Sequence, residues 1–123
     1  MFEYIPTEEY EQVQVIQYLD SVGAKYTAIP NSTYTTSWKQ KIKNKTMGLK
    51  AGFPDLIAIV DGTFIAIEMK RIKNSATSPK QKEWVESLQK AGIPTIIAKG
   101  ADEAITFIRS FETTRGADNE QNF

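Results

Sequence analysis

The stretch Asp55-Leu-Ile-Ala-Ile-Val-Asp-Gly-Thr-Phe-Ile-Ala-Ile-Glu-Met-Lys70 contains two β-rich runs separated by Asp61-Gly62. An Asp-Gly pair between two such runs is the strongest short-range signal for a β-hairpin. Both runs are apolar on both of their faces. We therefore expect the hairpin to lie in the middle of a sheet that is covered on both sides.

The register of this hairpin follows from its turn. If the Asp-Gly pair is a two-residue turn, Val60 faces Thr63, and Asp55 lies directly opposite Glu68 with Cβ atoms about 4.5–5.5 Å apart. Two carboxylates that face each other in a buried sheet repel, so the pair requires a shared proton or a cation. A hard divalent cation satisfies such a pair. Lys70 lies two residues beyond Glu68 and points to the same face.

Each of these groups also has an ordinary structural interpretation. Asp55 follows Pro54 and could be a turn residue, and Glu68 with Lys70 could form an ion pair at the end of a strand. All three groups converge at the open end of one buried hairpin, however, and this combination favours a functional site.

The segments on either side of the hairpin predict an α/β domain. Thr7 and the acids that follow it begin a helix over about residues 7–22. Ser78-Pro79-Lys80-Gln81 begins another helix through a capping box with proline at the first helical position. Further strands are expected at 25–29 and 94–98, and a last helix at 101–111. Residues 30–52 are expected to form a long polar loop or a loosely ordered insertion.

The predicted order is therefore α-β-β-β-α-β-α, an α/β sandwich around a mixed central sheet that is flanked by helices. We expect one domain over residues 1–112 and a polar, flexible tail over 113–123.

The composition excludes several classes of chemistry. The 123 residues include no cysteine and no histidine, which excludes a disulfide scaffold, a zinc finger and a histidine base. The first residues lack the features of a signal peptide. No apolar run approaches the ~20 residues that span a bilayer. These features predict a cytoplasmic protein with no membrane partner.

The charge is unevenly distributed although the formal net charge is zero. Residues 38–82 carry ten lysines and arginines against three acids, a net charge of +7, whereas both flanking regions are acidic. A local basic patch attracts phosphates whatever the total charge. A solvated lysine-rich loop without a partner explains the charge alone equally well.

Three motifs of the chain resemble the VRR-NUC family of the PD-(D/E)XK nuclease superfamily. They are Gly52-Phe53-Pro54-Asp55, Glu68-Met69-Lys70 and Ser78-Pro79-Lys80-Gln81-Lys82-Glu83-Trp84. The resemblance extends from about Glu8 to about Phe111. It implies a restriction-endonuclease-like αβββαβ core and a phosphodiester hydrolase that depends on Mg²⁺, or on Mn²⁺ as a substitute. It also implies that a free-standing copy, of bacterial or phage type, works as a homodimer on branched DNA such as four-way junctions.

The resemblance also implies roles for individual residues. Asp55 and Glu68 match the metal-binding acids, Lys70 matches the lysine that positions the attacking water and the phosphate, and Gln81 matches a glutamine behind the site. Gln81 equally fits the capping box, and the two roles do not exclude each other. The family also has an acid on its first helix that would help Asp55 and Glu68 to hold the metal ion, and Glu8 fits best because it shares a face with the helix's apolar positions. Glu11 is the second choice, and a simple preference of acids for a helix N-terminus is the structural alternative.

The basic segment would supply phosphate contacts from Lys39, Lys41, Lys43, Lys45 and Lys50, with Tyr34 and Trp38 available for base stacking. Asn31 also resembles a family position, without a physical role that we can assign. The sequence thus predicts a metal-dependent, structure-selective DNA endonuclease. The alternative is a non-catalytic nucleic-acid-binding module on the same fold.

Overall fold

The computed structural model describes residues 4–30 and 35–113 of the chain. Eight elements follow one another: α1 (Glu8–Ser21), β1 (Lys25–Ala28), α2 (Trp38–Thr46), β2 (Leu56–Val60), β3 (Thr63–Lys70), α3 (Pro79–Lys90), β4 (Thr95–Lys99) and α4 (Ala101–Arg109). The predicted α/β class with a mixed sheet between helices is confirmed.

The four strands form one sheet in the order β1-β2-β3-β4. β2 and β3 form the predicted antiparallel hairpin, with Val60 opposite Thr63 and Leu56 opposite Ile67. Asp61 and Gly62 have φ angles of 46° and 85°, as a type I′ turn requires. β4 runs parallel to β3, and α3 makes the crossover between them.

The main core lies between the sheet and the pair α1 and α4. Val15 and Leu19 of α1 and Ile108 of α4 are fully buried there against alternate residues of β2 and β3. α3 covers the opposite face of the sheet beside β4 and beside the Lys70 end of β3. At the turn end of that face, Ile59 and Phe64 remain 46% and 41% exposed. The expectation that the hairpin is covered on both sides is therefore wrong at its turn end.

The predicted helix starts are confirmed. Thr7 accepts a hydrogen bond from the Tyr10 amide at α1. Ser78 and Gln81 form both bonds of the capping box at α3, with Pro79 in the first turn.

The interpretation of residues 30–52 as loop is wrong for α2, which has no buried residue. Ser37 caps this helix by accepting from the Gln40 amide, and Gln40 bonds to Asn44 one turn later. A helix that buries no face against the core needs no repeated apolar pattern, so hydrophobic periodicity did not predict α2.

The far end of the sheet is closed by a contact with the end of the described chain. The Asp61 carboxylate at the hairpin turn accepts from the Thr113 amide at 2.6 Å and from its hydroxyl at 3.2 Å. The extent of the domain over 1–112 stays a prediction, and the remainder of the tail, residues 114–123, lies outside the described residues. None of the helices within the described ranges is long and apolar enough to cross a membrane.

Candidate active site

Asp55 and Glu68 meet at the open end of the hairpin. The ladder between β2 and β3 ends at the pair Leu56 and Ile67, which are the direct neighbours of Asp55 and Glu68 in the chain. Asp55 continues the contact with its side chain, because its Oδ2 accepts from the Met69 amide at 2.8 Å. Its carbonyl oxygen accepts from the Ile29 amide at 2.8 Å. Asp55 is thus fixed on both sides, with its carboxylate beside that of Glu68.

The pKa values of both carboxyl groups are raised above their ordinary values. Burial and the neighbouring Asp55 raise the pKa of Glu68 from 4.5 to about 7, although Lys70 opposes the shift. Burial also raises the pKa of Asp55, against the effects of the Met69 amide and of Lys70. A pair whose ionised forms are disfavoured in this way is stabilised by a cation placed between them.

Lys70 and Gln81 complete a network around Glu68. The Lys70 Nζ donates to Gln81 Oε1 at 2.8 Å and lies 3.5 Å from Glu68 Oε2. Gln81 Nε2 donates to the same Glu68 oxygen at 2.9 Å. Because Gln81 Oε1 also accepts from the Ser78 amide, one side chain both caps α3 and bonds to the site. The two roles anticipated for Gln81 coexist in its geometry.

The segment before Asp55 packs closely on the start of α3. Gly52 has a φ angle of 98°, and a Cβ added there would lie 2.8 Å from the Lys80 carbonyl carbon and 3.0 Å from the Gln81 amide nitrogen. Trp84 donates to the Ala51 carbonyl at 3.2 Å. These contacts hold the Asp55 segment against the helix that carries Gln81. This role of Gly52 was not predicted, although the motif Gly52-Phe53-Pro54-Asp55 places a glycine three residues before Asp55.

The two candidate acids of α1 have different surroundings. Glu8 lies close enough to interact electrostatically with the site. Burial and the neighbouring Asp55 raise its pKa, and Lys70 lowers it. Glu11 is buried, and its Oε2 accepts from the Ala101 amide at 3.1 Å. Gly100, the residue before α4, offers no side-chain cap. Glu11 therefore caps α4 from another helix, and of the two acids Glu8 is the one near the site.

The predicted lysines lie outside this cluster. Lys39, Lys41, Lys43 and Lys45 are exposed on α2, and Lys50 is exposed on the segment that follows it. Trp38 is also exposed on α2. Tyr34 and Asn31 lie outside the described residues.

The donor set suits a divalent cation. Glu68 Oε1 is a buried oxygen that has no hydrogen-bond partner, and buried polar atoms of this kind require an explanation. Carboxylate oxygens are the ligands that Mg²⁺ prefers. Within residues 4–30 and 35–113, no three acids come close enough together to hold a metal ion. A cation here would be held by Asp55 and Glu68, with its other positions open to water or phosphate.

Comparisons with known proteins bear on this arrangement. The sequence model of the VRR-NUC domain family matches residues 7–102 of this chain. A solved structure described as a VRR_NUC domain protein is similar with a TM-score of 0.69 and 29% identity, over 88% of this chain and 89% of that one. Another, described as a VRR_NUC domain, has a TM-score of 0.62 over 85% and 97% of the two chains. At 19% identity the second match concerns the fold alone. No curated protein matches the chain.

Proposed function

The chain belongs to the VRR-NUC family, which is a nuclease-type family, and we propose that it is a metal-dependent DNA endonuclease. One observation carries the proposal: Glu68 presents a buried, unpartnered Oε1 beside the Asp55 carboxylate. Lys70 and Gln81 both contact Oε2, so no described donor occupies Oε1, and a cation shared with Asp55 would satisfy it.

Mg²⁺, with Mn²⁺ as a substitute, is the proposed cofactor, held by Asp55 and Glu68. When bound, such an ion neutralises charge on a phosphate and makes water a stronger nucleophile. Glu8 would act on the ion from the edge of the site through its charge, and not as a third ligand.

Lys70 supplies the positive charge that the chain itself brings to the reaction. Its ammonium is fixed by Gln81 and Glu68 rather than free to rotate. A fixed donor stabilises developing charge without reorganising during the reaction. Gln81 is a positioning residue in this proposal, because its amide holds Lys70 and Glu68 at once.

The proposed substrate is branched DNA, such as a four-way junction, cut by a homodimer. Phosphate contacts would come from lysines of the basic segment over residues 38–82. A surface for dimer formation is available on the uncovered face of the sheet, where Ile57, Ile59 and Phe64 line a shallow hollow of about 240 Å³. A cytoplasmic location, in a bacterial or phage-infected cell, is part of the same proposal.

A cleavage assay tests the proposal. Purified protein is incubated with linear, flapped and four-way-junction DNA in Mg²⁺, Mn²⁺ or EDTA. We expect cleavage with either metal, preference for the junction, and no cleavage in EDTA. Asp55→Asn should abolish cleavage but not DNA binding. Lys70→Ala should lower turnover by about 10²–10³-fold, as loss of a charge-stabilising donor does, with metal affinity nearly unchanged.

The same assay separates the enzyme from the non-catalytic binding module. A binding module would tolerate Asp55→Asn in every measurement and would cut none of the substrates with either metal. Cleavage by Lys70→Ala at a rate near that of the wild type would contradict the role proposed for that residue.

A further inference from the structure

A basic groove runs between α2 and the start of α3. It consists of two adjoining hollows of about 240 and 360 Å³ that share Lys50, Ala51 and Lys80. Lys41 and Lys45 line the first hollow, and Trp84 and Glu83 line the second. The lining of the groove thus includes four lysines and one acid, so the groove is positively charged.

The groove leads to the candidate active site. Lys80 precedes Gln81, whose amide bonds to both Glu68 and Lys70. The backbone of Lys80 is also in close contact with Gly52, three residues before Asp55. A DNA strand with its scissile phosphate at the carboxylates would therefore pass Lys80 first and the lysines of α2 next.

The lysines of α2 divide between two faces of the helix. Lys41, Asn44 and Lys45, at spacings of three and four, share the face that lines the groove. At about 100° per residue, Lys39 and Lys43 lie on the nearly opposite face. Neither lines any part of the groove. The helix therefore offers two lysine pairs with the same charge and different directions.

We propose that this groove, lined by Lys41, Lys45, Lys50 and Lys80, binds the DNA backbone phosphates next to the scissile one. Only one face of α2 contacts the DNA, and Lys80, at the start of α3, links that contact to the catalytic groups. This inference rests on the proposed endonuclease function, which it deepens by naming the phosphate track. Of the five lysines predicted from the sequence, only Lys41, Lys45 and Lys50 line this groove, and Lys80 joins them.

The helix itself supplies a matched pair of variants. Lys41→Gln/Lys45→Gln and Lys39→Gln/Lys43→Gln each remove two charges from the same exposed helix, and glutamine has nearly the helix propensity of lysine. Binding to fluorescent duplex and junction DNA is measured by anisotropy in Ca²⁺, over a range of salt concentrations. Circular dichroism checks that both variants are folded.

The groove pair should weaken binding by about tenfold and reduce the slope of log affinity against log salt by about two, because two phosphate contacts are lost. The other pair should change affinity twofold or less and the slope by under about half a unit. Lys80→Gln should reduce the slope by about one, and Lys82→Gln, on the same helix outside the groove, by much less.

Equal effects of the two α2 pairs, or a larger effect of Lys39→Gln/Lys43→Gln, would overturn the groove. So would unchanged salt slopes in all four variants. Cleavage by the wild-type preparation in Mg²⁺ reports separately on the endonuclease function. Equal slopes with intact cleavage reject only the groove, and unequal slopes without cleavage reject only the catalytic proposal.

Discussion

At the scale of single residues, Glu68 has the most unusual surroundings in the described chain. It is 2% exposed, its Oε2 accepts from Gln81 Nε2 and lies beside the Lys70 ammonium, and its Oε1 has no partner. Such a group lowers the stability of the metal-free fold when it is ionised, a cost that the proposed metal site would explain.

The pH dependence of metal-free stability should reveal this cost. The pKa of Glu68 is about 7 in the folded chain against 4.5 as its ordinary value, so the folded state binds more protons between these pH values. The free energy of unfolding should therefore fall as pH rises from about 4.5 to about 7, by up to about 3 kcal/mol. Urea denaturation in EDTA at several pH values measures it.

Two controls sharpen that measurement. Glu68→Gln should remove most of the decline, because the amide does not titrate. Added Mg²⁺ should restore stability above pH 7, where the carboxylate is available to bind it. A wild-type profile that is flat, or that coincides with the profile of Glu68→Gln, would contradict the raised pKa.

At the scale of secondary-structure elements, close packing between the Asp55 segment and α3 brings the two halves of the site together. Gly52 makes this approach possible, since it combines a φ angle of 98° with backbone contact at the start of α3. The close approach of the hairpin to Gln81 therefore requires that residue 52 has no side chain.

Gly52→Ala should destabilise the protein by about 2 kcal/mol or more and lower the cleavage rate, because both the backbone strain and the clash with Lys80 must be relieved. Gly92→Ala is the matched control. Gly92 has a φ angle of 85° but nothing within 4 Å of an added Cβ, so it should cost only about 1 kcal/mol and leave the cleavage rate unchanged. Similar effects of the two variants on cleavage would contradict a positioning role for Gly52.

The two acids of α1 should behave in opposite ways. Glu11→Ala leaves the Ala101 amide without its acceptor and should destabilise the fold by about 1–2 kcal/mol. Glu8→Ala should leave stability level or raise it, since Glu8 is partly desolvated beside Asp55, yet it should lower cleavage more than Glu11→Ala. Thermal denaturation measures the stability of each variant. Turnover is compared at a temperature where both variants are folded, so that the effect on activity is separated from the effect on stability. A loss of stability in Glu8→Ala alone would reverse these assignments.

The sequence predicted those elements whose signals are local. The Asp-Gly turn determined the hairpin register, and the capping residues determined the starts of α1 and α3. The approach of Asp55 to Glu68 followed from that register. By contrast, the cap that Glu11 provides joins residues 90 positions apart, and no periodicity encodes such a contact. The helix α2 was not predicted because none of its residues packs into the core. The exposed turn end of the sheet was not predicted because apolar strands usually indicate burial.

At the scale of the whole molecule, the uncovered face of the sheet is the feature that a single copy leaves unexplained. Ile59 and Phe64 are paired across the hairpin and exposed together. Adjacent exposed apolar side chains on a strand face favour association.

Ile59→Lys/Phe64→Lys should convert the proposed dimer to a monomer, because two desolvated charges oppose the contact. The folded monomer should lose some stability, because the two lysines would lie directly opposite each other across the hairpin, and thermal denaturation checks that it remains folded. Sedimentation equilibrium measures the mass, and cleavage of four-way junctions should fall more than cleavage of linear DNA. An unchanged dimer would mean that the copies associate through another surface.

The position of the hairpin turn has a practical consequence for single-molecule work. The turn lies at the opposite end of β3 from Lys70, and the eight residues of that strand span about 25 Å. A surface anchor attached at the turn would therefore hold the molecule by the end farther from Asp55 and Glu68 and leave the proposed active site facing solution. The chain has no cysteine, so one thiol introduced there would give every immobilised molecule the same orientation toward an incoming DNA.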